Sequence, residues 1–334
     1  SHYMKLIPHL MLVLLLAACS SANESKNIGS IERMDPSLDQ IIHADATVEI
    51  LGEGYTWSEG PVWIEERKML LFSDVPANKI YRWTEAEGVT EYLTPSGYTG
   101  SGPSKSSEPG SNGLVLDREG KLVLCQHGDR RIARMDAPFN EPSPTFVTIA
   151  DGYNGKKFNS PNDAVYRSDG ALFFTDPPYG LPERENDPSR ELPWHGVYKV
   201  SLDGKVSLLV DSITRPNGIG LTPDERTLIV ANSDPRKPMW YAFDLADGDS
   251  LANARIFFDA SDSGGDPGLP DGFKIDKQGN VFASGPGGIW IFNPEARLLG
   301  KVRLPEATAN CALADGDQTL YITSKQYLLR VKMR

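Results

Sequence analysis

Short apolar segments recur along the chain at nearly regular intervals, and each is preceded by a residue whose side chain carries an oxygen atom. The six oxygen-bearing residues are Glu59, Asn112, Asn162, Asn217, Asp271 and Asn310. Successive members are separated by 53, 50, 55, 54 and 39 positions. Because a period of about 50 residues in a strand-rich sequence is typical of radially repeated sheets, the pattern predicts an all-β fold, a six-bladed β-propeller.

Each repeat contains signals for further strands. Turns rich in Gly and Asp, such as Ser168-Asp169-Gly170, follow the first strand and suit a tight hairpin. A second apolar strand, a third alternating or aromatic strand and an outer strand complete blades of four antiparallel strands. In the third repeat, for example, these strands are predicted at residues 172–176, 197–200 and 206–210. The last repeat lacks an outer strand, so residues 47–51 are expected to supply it and to remove an exposed edge. A two-sheet sandwich is the alternative fold, but it gives no reason for the period.

A second ring of polar residues is expected at the same mouth of the propeller. In a hairpin, the start of the first strand and the end of the second lie at one edge of the sheet. The residues that end the second strands are Asp74, His127, Asp176, Asn232, Ser284 and Ser324. Three long loops, 94–111, 177–196 and 260–270, lead to this mouth. Because long loops in compact domains are often functional, the 177–196 loop is interpreted as a cover for a substrate.

The first ring has the composition of a site for a hard cation. Glu59 and Asp271 contribute carboxylates, and Asn162 and Asn217 contribute neutral oxygens. Such ligands, completed by water, suit Ca²⁺, whereas zinc and copper favour His or Cys. The alternative is that these residues are only turn formers ahead of strands, which is less favoured for six positions in register. Calcium is therefore the expected ion, with Zn²⁺, Mn²⁺ or Mg²⁺ as alternatives.

Charge and length limit the classes of partner and the domain count. The formal net charge is -11 and no basic block occurs, which argues against nucleic acid and anionic membranes as electrostatic partners. The repeat assigns residues 46–334 to a single propeller domain. Cys125 and Cys311 lie in apolar strand patterns of different repeats, so free buried thiols are expected, with a disulfide as the alternative.

The N-terminal residues carry a different signal. Residues 1–3 are interpreted as a vector-derived remnant ahead of Met4, and the apolar run 10–18 is too short for a spanning helix of about 20 residues. The run has the size of a signal-peptide core, and Leu16-Ala17-Ala18-Cys19 resembles the bacterial lipoprotein signal. We therefore expect residues 1–19 to be the remnant and signal peptide, and residues 20–45 to be a tether. The expected product is an exported, periplasmic lipoprotein anchored to a membrane through lipid on Cys19, with an ordinary signal peptide as the alternative.

The chain contains five further sequence motifs: Ser58-Glu59-Gly60-Pro61-Val62-Trp63, Phe158-Asn159-Ser160-Pro161-Asn162-Asp163, Phe174-Thr175-Asp176-Pro177-Pro178-Tyr179-Gly180-Leu181, Arg215-Pro216-Asn217-Gly218 and Leu269-Pro270-Asp271-Gly272. Together these motifs resemble the gluconolactonase / SMP-30 (regucalcin) family, and the resemblance covers nearly all of residues 49–330. The resemblance implies a six-bladed propeller with a catalytic divalent ion, usually calcium, in its central channel. It also implies hydrolysis of sugar lactones.

The resemblance carries specific roles to residues of this chain. It places metal ligands at Glu59, Asn217 and Asp271, and makes Asn162 a ligand or a substrate contact. Ser160 departs from the vertebrate branch of the family, where an arginine at this position helps to hold substrate, so the substrate cannot be transferred from that branch. The segment 125–131 is similar to the bacterial branch and supports His127 as an active-site residue.

The expected mechanism is metal-assisted attack of water on a lactone. The ion would polarise the carbonyl group and stabilise the developing oxyanion. Asp271 is the first candidate for the general base, but binding to a cation lowers the basicity of a carboxylate. His127 is the competing candidate, unless it is a structural histidine at a strand end. Substrate hydroxyls or water are expected to bind to three further residues: Asn112, Asn159 and Asp176.

Other activities remain as alternatives or are not signalled. Trp194 and His195 in the long loop either cover a sugar ring or pack against the blade. The chain contains neither the Gly-x-Ser-x-Gly nucleophile motif nor a glycine-rich nucleotide fingerprint. A calcium-dependent hydrolase of aryl esters or phosphoesters is the enzymatic alternative. A non-catalytic periplasmic binding propeller with a structural ion is the alternative of a different class.

Overall fold

The computed structural model describes residues 25–263 and 265–334. Two strands, β1 (Ser30–Arg33) and β2 (Val48–Glu53), precede the first complete blade. Blade 1 contains β3 (Ser58–Ile64), β4 (Met69–Asp74), β5 (Lys79–Thr84) and β6 (Gly88–Leu93). Blade 2 contains β7 (Ser111–Leu116), β8 (Leu122–Gln126), β9 (Arg131–Met135) and β10 (Phe146–Ala150), and is followed by a small hairpin of β11 (Gly152–Tyr153) and β12 (Lys156–Lys157).

The remaining blades follow in chain order. Blade 3 contains β13 (Ala164–Tyr166), β14 (Leu172–Asp176), β15 (Gly196–Val200) and β16 (Val206–Val210). Blade 4 contains β17 (Pro216–Leu221), β18 (Thr227–Asn232), β19 (Met239–Leu245) and β20 (Leu251–Asp259). Blade 5 contains β21 (Phe273–Ile275), β22 (Val281–Gly285), β23 (Gly288–Phe292) and β24 (Leu298–Arg303), and blade 6 contains β25 (Asn310–Ala314), β26 (Thr319–Ser324) and β27 (Tyr327–Lys332). Four 3-10 helices occur in the described residues: Pro36–Gln40, Glu65–Arg67, Arg184–Asn186 and Asp247–Asp249.

The inner strands of the six blades form a closed ring. Contacts run from β3 to β7, β13, β17, β21 and β25, and from β25 back to β3. Within every blade the strands are antiparallel neighbours in the order in which the chain visits them. The predicted six-bladed propeller is therefore confirmed, and the predicted strand positions agree with the observed ones within about three residues, the usual uncertainty of element boundaries.

The last blade is completed by the N-terminal strand. Strand β2 pairs antiparallel with β27, with Val48 opposite Val331 and Glu49 opposite Arg330. In addition to the backbone hydrogen bonds between these strands, the Arg330 guanidinium donates hydrogen bonds to both carboxylate oxygens of Glu49. The prediction that residues 47–51 close the ring is confirmed. The ring is thereby fastened by main-chain hydrogen bonds between the two ends of the domain.

The expected tether at residues 20–45 needs correction. From residue 25 onward this segment packs on the propeller, and β1 pairs with β24 to give blade 5 a fifth strand. Leu38 and Ile42 are fully buried between blades 5 and 6, and Asp35 caps the Pro36–Gln40 helix by accepting from the backbone N–H of Ser37. The apolar side chains of this segment, among them Ile31, Leu38 and Ile42, belong to or pack against the cluster between these blades. The predictions for residues 1–24, including the lipid anchor at Cys19, concern residues outside the described part of the chain.

The hydrophobic core is divided into six clusters, one at each interface between neighbouring blades. At the interface of blades 4 and 5, for example, Trp240 packs against Phe292 with ring centroids 5.3 Å apart. Cys125 and Cys311 belong to different clusters and are free buried thiols, as expected. Because the apolar clusters lie between blades, the axis of the propeller is left to polar side chains. In the described part of the chain, no helix has the length and apolar character needed to cross a membrane.

Glycines allow the inner strands to approach one another closely at the axis. Gly60 follows the first ring residue and has a φ of +53°, and a Cβ atom there would lie 1.9 Å from the carbonyl oxygen of Asn112. A Cβ atom on Gly218 would lie 2.2 Å from the carbonyl oxygen of Asp271 in the next blade. These distances are far inside van der Waals contact, so only glycine permits this spacing.

Candidate metal and active site in the central channel

A cavity of about 630 Å³ opens at the mouth of the propeller around the ring residues. Five of the six lie in its wall: Glu59, Asn112, Asn162, Asn217 and Asp271. Each stands at or just before the start of the inner strand of its own blade, and several are tied to the neighbouring blade. The Ser73 hydroxyl donates to the carbonyl of Asn112 at 2.9 Å, and the Thr175 hydroxyl donates to the carbonyl of Asn217 at 2.6 Å. The spacing in the sequence therefore identified residues that converge in space.

The sixth ring residue, Asn310, has a different role. It is buried and does not line the cavity. Its Nδ2 donates to Oε1 of Glu59 at 2.9 Å and to Oδ2 of Asp163 at 3.3 Å, while its Oδ1 accepts from Nζ of Lys274 at 3.0 Å. Asn310 thus links a cavity carboxylate to a second carboxylate and an ammonium group deeper in the channel.

The two ring carboxylates are in an environment that favours a cation. Glu59 is buried, and burial together with the nearby Asp163 charge raises the pKa of its carboxyl, while Lys274 has a smaller opposite effect. Burial raises the pKa of Asp271 as well, and the negative charge of Glu59 adds to this effect. Like charges held close together at low solvent exposure repel one another. A bound divalent cation would relieve this repulsion.

The neutral oxygens of the cavity are suited to a hard cation. Oδ1 of Asn112 and Oδ1 of Asn217 are buried and have no hydrogen-bond partner. Nδ2 of Asn217 donates to the Ser233 hydroxyl at 3.2 Å, so the side chain is oriented with its oxygen free. A buried oxygen without a partner is costly unless a ligand satisfies it. Together with the carboxylates of Glu59 and Asp271, the Asn217 oxygen gives the type of donor set that Ca²⁺ prefers, and the Asn112 oxygen is free for another ligand in the cavity.

The donor set is less suited to softer metals. Within the described residues, no group of three or more His, Cys, Asp or Glu side chains is arranged to hold a metal ion. The cavity wall of the described chain contains neither His nor Cys. A metal here would be held by two carboxylates, by amide oxygens and by water. This composition fits Ca²⁺ better than Zn²⁺.

His127 lies behind the cavity wall. Its Nδ1 donates to the carbonyl of Glu108 at 3.2 Å, which leaves Nε2 to accept from Nδ2 of Asn112 at 3.2 Å and from Nδ2 of Asn162 at 3.4 Å. The side chain is fully buried, and burial lowers the pKa of His127 to about 4. A neutral His127 therefore orients two asparagines of the ring, turning their amide nitrogens away from the cavity.

Asn159 and Asp176 are brought together, but not in the cavity wall. Oδ2 and Oδ1 of Asp176 accept from the backbone N–H groups of Asn159 and Ser160, each at 2.8 Å. Nδ2 of Asn159 donates to the carbonyls of Asp176 and Trp194. Both residues are fully buried. The structure thus places them as supports of the segment before Asn162, and does not bring them to the substrate position that we expected.

Two other members of the second ring, Asp74 and Asn232, have the same supporting function. Asp74 accepts from the backbone N–H groups of Thr56 and Trp57, both at 3.1 Å. Oδ1 of Asn232 accepts from the backbone N–H of Arg215 at 2.9 Å. In these blades, the residue that ends the second strand holds the loop that leads into the first strand. These second-ring residues are therefore structural, and His127 is the described member of the second ring whose side chain hydrogen-bonds to side chains of the first ring.

The long loop 177–196 contributes to the cavity through Tyr179 and Arg184. Its start is fixed by Ser160, whose hydroxyl donates to the carbonyl of Pro177 at 2.6 Å and accepts from the backbone N–H of Gly180 at 2.9 Å. Trp194 does not line this cavity; its Nε1 donates to the Tyr198 hydroxyl at 2.9 Å.

The end of the loop is also held against the blade. His195 donates from Nδ1 to the carbonyl of Thr214 at 2.5 Å, and it too is absent from the cavity wall. Trp194 and His195 therefore pack against the propeller, which is one of the two alternatives given for them. They are not placed to cover a sugar ring in this cavity.

Two charged residues of the cavity were missed by the sequence analysis, Glu108 and Arg184. They come from the loops 94–111 and 177–196, and Nη2 of Arg184 lies 3.3 Å from Oε2 of Glu108. Burial raises the pKa of Glu108, while Arg184 has the opposite effect. Neither residue belongs to the repeat, so spacing could not identify them. The only available signal was a charged residue within a long loop at the functional mouth.

Comparisons with known proteins agree with this architecture. The sequence matches the family profile described as the SMP-30/Gluconolactonase/LRE-like region over residues 57–326. A gluconolactonase from Zymomonas mobilis subsp. mobilis is 39% identical over 331 residues, which cover 94% of this chain and 90% of that protein. The structure of a gluconolactonase from Xanthomonas campestris has a TM-score of 0.79 and 30% identity, covering 94% of this chain and 99% of that chain. A calcium-binding regucalcin from Agrobacterium tumefaciens has a TM-score of 0.65 at 18% identity, covers 85% of this chain and 94% of that chain, and supports the fold alone.

Proposed function

The chain belongs to the SMP-30/gluconolactonase/LRE-like family, and on this premise we propose that it hydrolyses a lactone with the help of a divalent cation, Ca²⁺ being the preferred ion. Its relatives named gluconolactonase are lactone-hydrolysing enzymes, and the chain shares their enzyme class, hydrolysis of a carboxylic ester bond. The substrate is a small molecule.

One observation supports the proposed ion above all others. Glu59 and Asp271 converge in one cavity with Asn217, whose Oδ1 is buried without a hydrogen-bond partner. These three residues, together with Asn162, are the proposed metal ligands. Two buried carboxylates beside unsatisfied amide oxygens are unfavourable without a cation and favourable with one.

The residues of the chain have separable roles in the proposed reaction. When bound, the ion would supply Lewis acidity at the lactone carbonyl and at the oxyanion that develops there. Asp271 is the proposed base that accepts the proton of the attacking water. Its Oδ1 accepts from the backbone N–H of Gly272 at 2.9 Å, which orients the carboxylate in the cavity wall. Asn112 is the proposed contact for a substrate hydroxyl, since it lines the cavity and is oriented by His127.

The position of His127 bears on the choice of base. Its Nε2 is occupied by two amide groups, and the side chain does not reach the cavity wall. A base must come within hydrogen-bond reach of the water that it deprotonates. This geometry favours Asp271, with His127 as the residue that positions Asn112 and Asn162.

The proposed localisation rests on the sequence alone. We propose that the protein is exported and anchored to a membrane through lipid on Cys19. Membrane fractionation of cells that produce the full chain or its Cys19→Ala variant would test this. The full chain should be found in the membrane fraction and the variant should not be, whereas an ordinary signal peptide would leave the full chain soluble.

Purified Glu59→Gln and Asp271→Asn variants test the activity. Both should lose lactone turnover by at least about 100-fold and should no longer be stabilised by Ca²⁺ in thermal unfolding. Glu119→Gln, a change in an exposed turn of blade 2, is the matched control and should retain both properties. The assay should include an aldonolactone, an aliphatic lactone, an aryl ester and a phosphoester, each with Ca²⁺ and with EDTA.

Two results would contradict the proposal. Full lactone turnover in both variants would exclude a catalytic ion at Glu59 and Asp271. Turnover that survives EDTA, with only the melting temperature lowered, would indicate a structural ion.

A further inference from the structure

The cavity contains a charged pair that the proposed metal chemistry does not use. Glu59 and Asp271 are assigned to the ion, but Glu108 and Arg184 also lie in the wall. Their side chains meet at 3.3 Å between Oε2 and Nη2. Arg184 is the one Lys or Arg among the described residues that line this cavity. The pair therefore places one anionic acceptor and one cationic donor side by side at the mouth.

Each member of the pair is held by its own loop. Glu108 lies in the loop 94–111, and its backbone carbonyl accepts from Nδ1 of His127 at 3.2 Å. The same His127 orients Asn112 and Asn162, so the position of Glu108 is tied to the first ring. The carboxylate of Glu108 is mostly buried, with 19% of the side chain exposed.

Arg184 is presented by a structured turn. Asp187 is buried and accepts from the backbone N–H of Glu183 at 2.9 Å and from that of Ser189 at 2.9 Å. Glu185 forms an ion pair of 2.8 Å with Arg215, which fastens the turn to the next blade. Arg184 itself has a φ of +49°, a conformation that is unfavourable for a residue with a side chain. These contacts hold the backbone of the turn from which the Arg184 side chain reaches Glu108 in the cavity wall.

The chemistry of the pair identifies what it could bind. A carboxylate accepts hydrogen bonds from hydroxyl groups, and a guanidinium donates several in one plane. Two such groups in contact match two hydroxyls on neighbouring carbon atoms of one ligand. An aliphatic lactone has no hydroxyl groups that could hydrogen-bond to Glu108 and Arg184 in place of their contact with each other. A phosphoester is anionic and would be repelled by the Glu108 carboxylate.

We propose that Glu108 and Arg184 are specificity-determining residues that together bind adjacent hydroxyl groups of a polyhydroxylated lactone, the substrate class that the names of the relatives indicate. The proposal rests on lactone hydrolysis as the function of the cavity, and it names the residues that would recognise the substrate hydroxyls there. Neither residue is assigned a role in the attack of water. Their loss should reduce binding of the hydroxylated substrate and leave the chemistry on an unsubstituted lactone intact.

The test compares two lactones with the same ring size, D-glucono-1,5-lactone and δ-valerolactone, which lacks the hydroxyls. Glu108→Gln and Arg184→Gln should each lower kcat/KM for the hydroxylated lactone about 10- to 100-fold, mainly through KM, since each removes a charged hydrogen-bonding group. Turnover of δ-valerolactone should change less than about twofold. The double variant should lose less than the product of the two single effects, because the residues act as a pair. Arg236→Gln is the control, since Arg236 is an exposed arginine outside the cavity wall whose partner is Asp234.

A binding measurement separates failure of this inference from failure of the proposed function. Binding of 1,5-anhydro-D-glucitol, which carries ring hydroxyls but no carbonyl, can be followed by ligand-observed NMR. If the wild-type protein hydrolyses neither lactone, the proposed function is wrong. Weaker binding of the polyol in both variants would still support the binding of hydroxyl groups by Glu108 and Arg184. Equal losses on both lactones, or polyol binding that is unchanged in both variants, would overturn the inference.

Discussion

Asn310 donates a hydrogen bond of 2.9 Å to Oε1 of Glu59, although 251 positions separate the two residues in the chain. The contact joins the inner strand of the last blade to that of the first, so it exists only because the ring is closed. Lys274 donates to the other end of the same amide at 3.0 Å. Asn310 therefore fixes a carboxylate of the proposed metal site from below, although its position in the repeat resembles that of the ligands.

Replacement of Asn310 by alanine should weaken metal binding without removing any ligand. Glu59 would lose a buried donor, and its carboxylate would be free to adopt other orientations. We expect Ca²⁺ affinity to fall about 10-fold and the free energy of unfolding to fall by about 1–3 kcal/mol. Titration calorimetry and urea unfolding would measure both.

The control for this variant is Asn280→Ala. Asn280 is also a buried asparagine, but it bonds to Asp276 in a turn of blade 5. It should lose stability and keep its affinity for Ca²⁺. Unchanged Ca²⁺ affinity in Asn310→Ala would show that the contact does not organise the site.

His127 should make the protein sensitive to acid. Burial lowers its pKa in the folded state to about 4, from an ordinary value of 6.5. Between these values the unfolded chain binds a proton that the folded protein does not, so the stabilising contribution present above pH 6.5 is lost as the pH falls towards 4. The loss should reach about 2–3 kcal/mol near pH 4.5.

The measurement is the difference in unfolding free energy between wild type and His127→Gln at neutral and acidic pH. Other buried acids titrate in both proteins and cancel in this difference. The advantage of the wild type should shrink by about 2–3 kcal/mol between about pH 7 and pH 4.5. A difference that does not depend on pH would contradict a buried neutral His127.

Gly60→Ala should strongly destabilise the propeller. Alanine at a φ of +53° is strained by about 1 kcal/mol, and its Cβ would lie 1.9 Å from the carbonyl oxygen of Asn112, adding about 1–3 kcal/mol. Gly120→Ala is a matched control, because Gly120 also has a positive φ, +77°, but has open space around it. Urea unfolding should show a loss of about 2–4 kcal/mol for Gly60→Ala and about 1 kcal/mol for the control. Equal losses would mean that the inner strands can separate at little cost.

Ser160→Ala should loosen the long loop at the mouth. The Ser160 hydroxyl bonds to the backbone of Pro177 and Gly180, and its removal leaves two buried groups without a partner. We expect a loss of about 1–3 kcal/mol in unfolding free energy and a higher KM for the lactone, with a smaller effect on kcat. Ser101→Ala, in an exposed loop, should change neither quantity. An unchanged KM would indicate that Tyr179 and Arg184 are positioned without help from Ser160.

The sequence determined the fold almost completely. Strand β14 (Leu172–Asp176) and strand β16 (Val206–Val210) have the bounds that alternation and turn residues predicted. Even the closing strand near residue 48 was predictable, since the last repeat lacked an outer strand. Alternation, turn chemistry and repeat length are local properties of the chain, and they do not depend on which residues meet in space.

The sequence also located the first ring, but it could not assign different tasks to residues in equivalent positions. Asn112 and Asn217 leave an oxygen free in the cavity, whereas Asn310 uses both ends of its amide below it. Asp176 carries the charge expected of a substrate contact, yet it binds two backbone N–H groups. The roles of these residues depend on contacts that form only when the ring of blades is closed. The contact between Glu108 and Arg184 depends on the packing of two irregular loops. The physical reason is that the partners of a polar side chain are set by contacts between blades and loops distant in the chain, which no local pattern encodes.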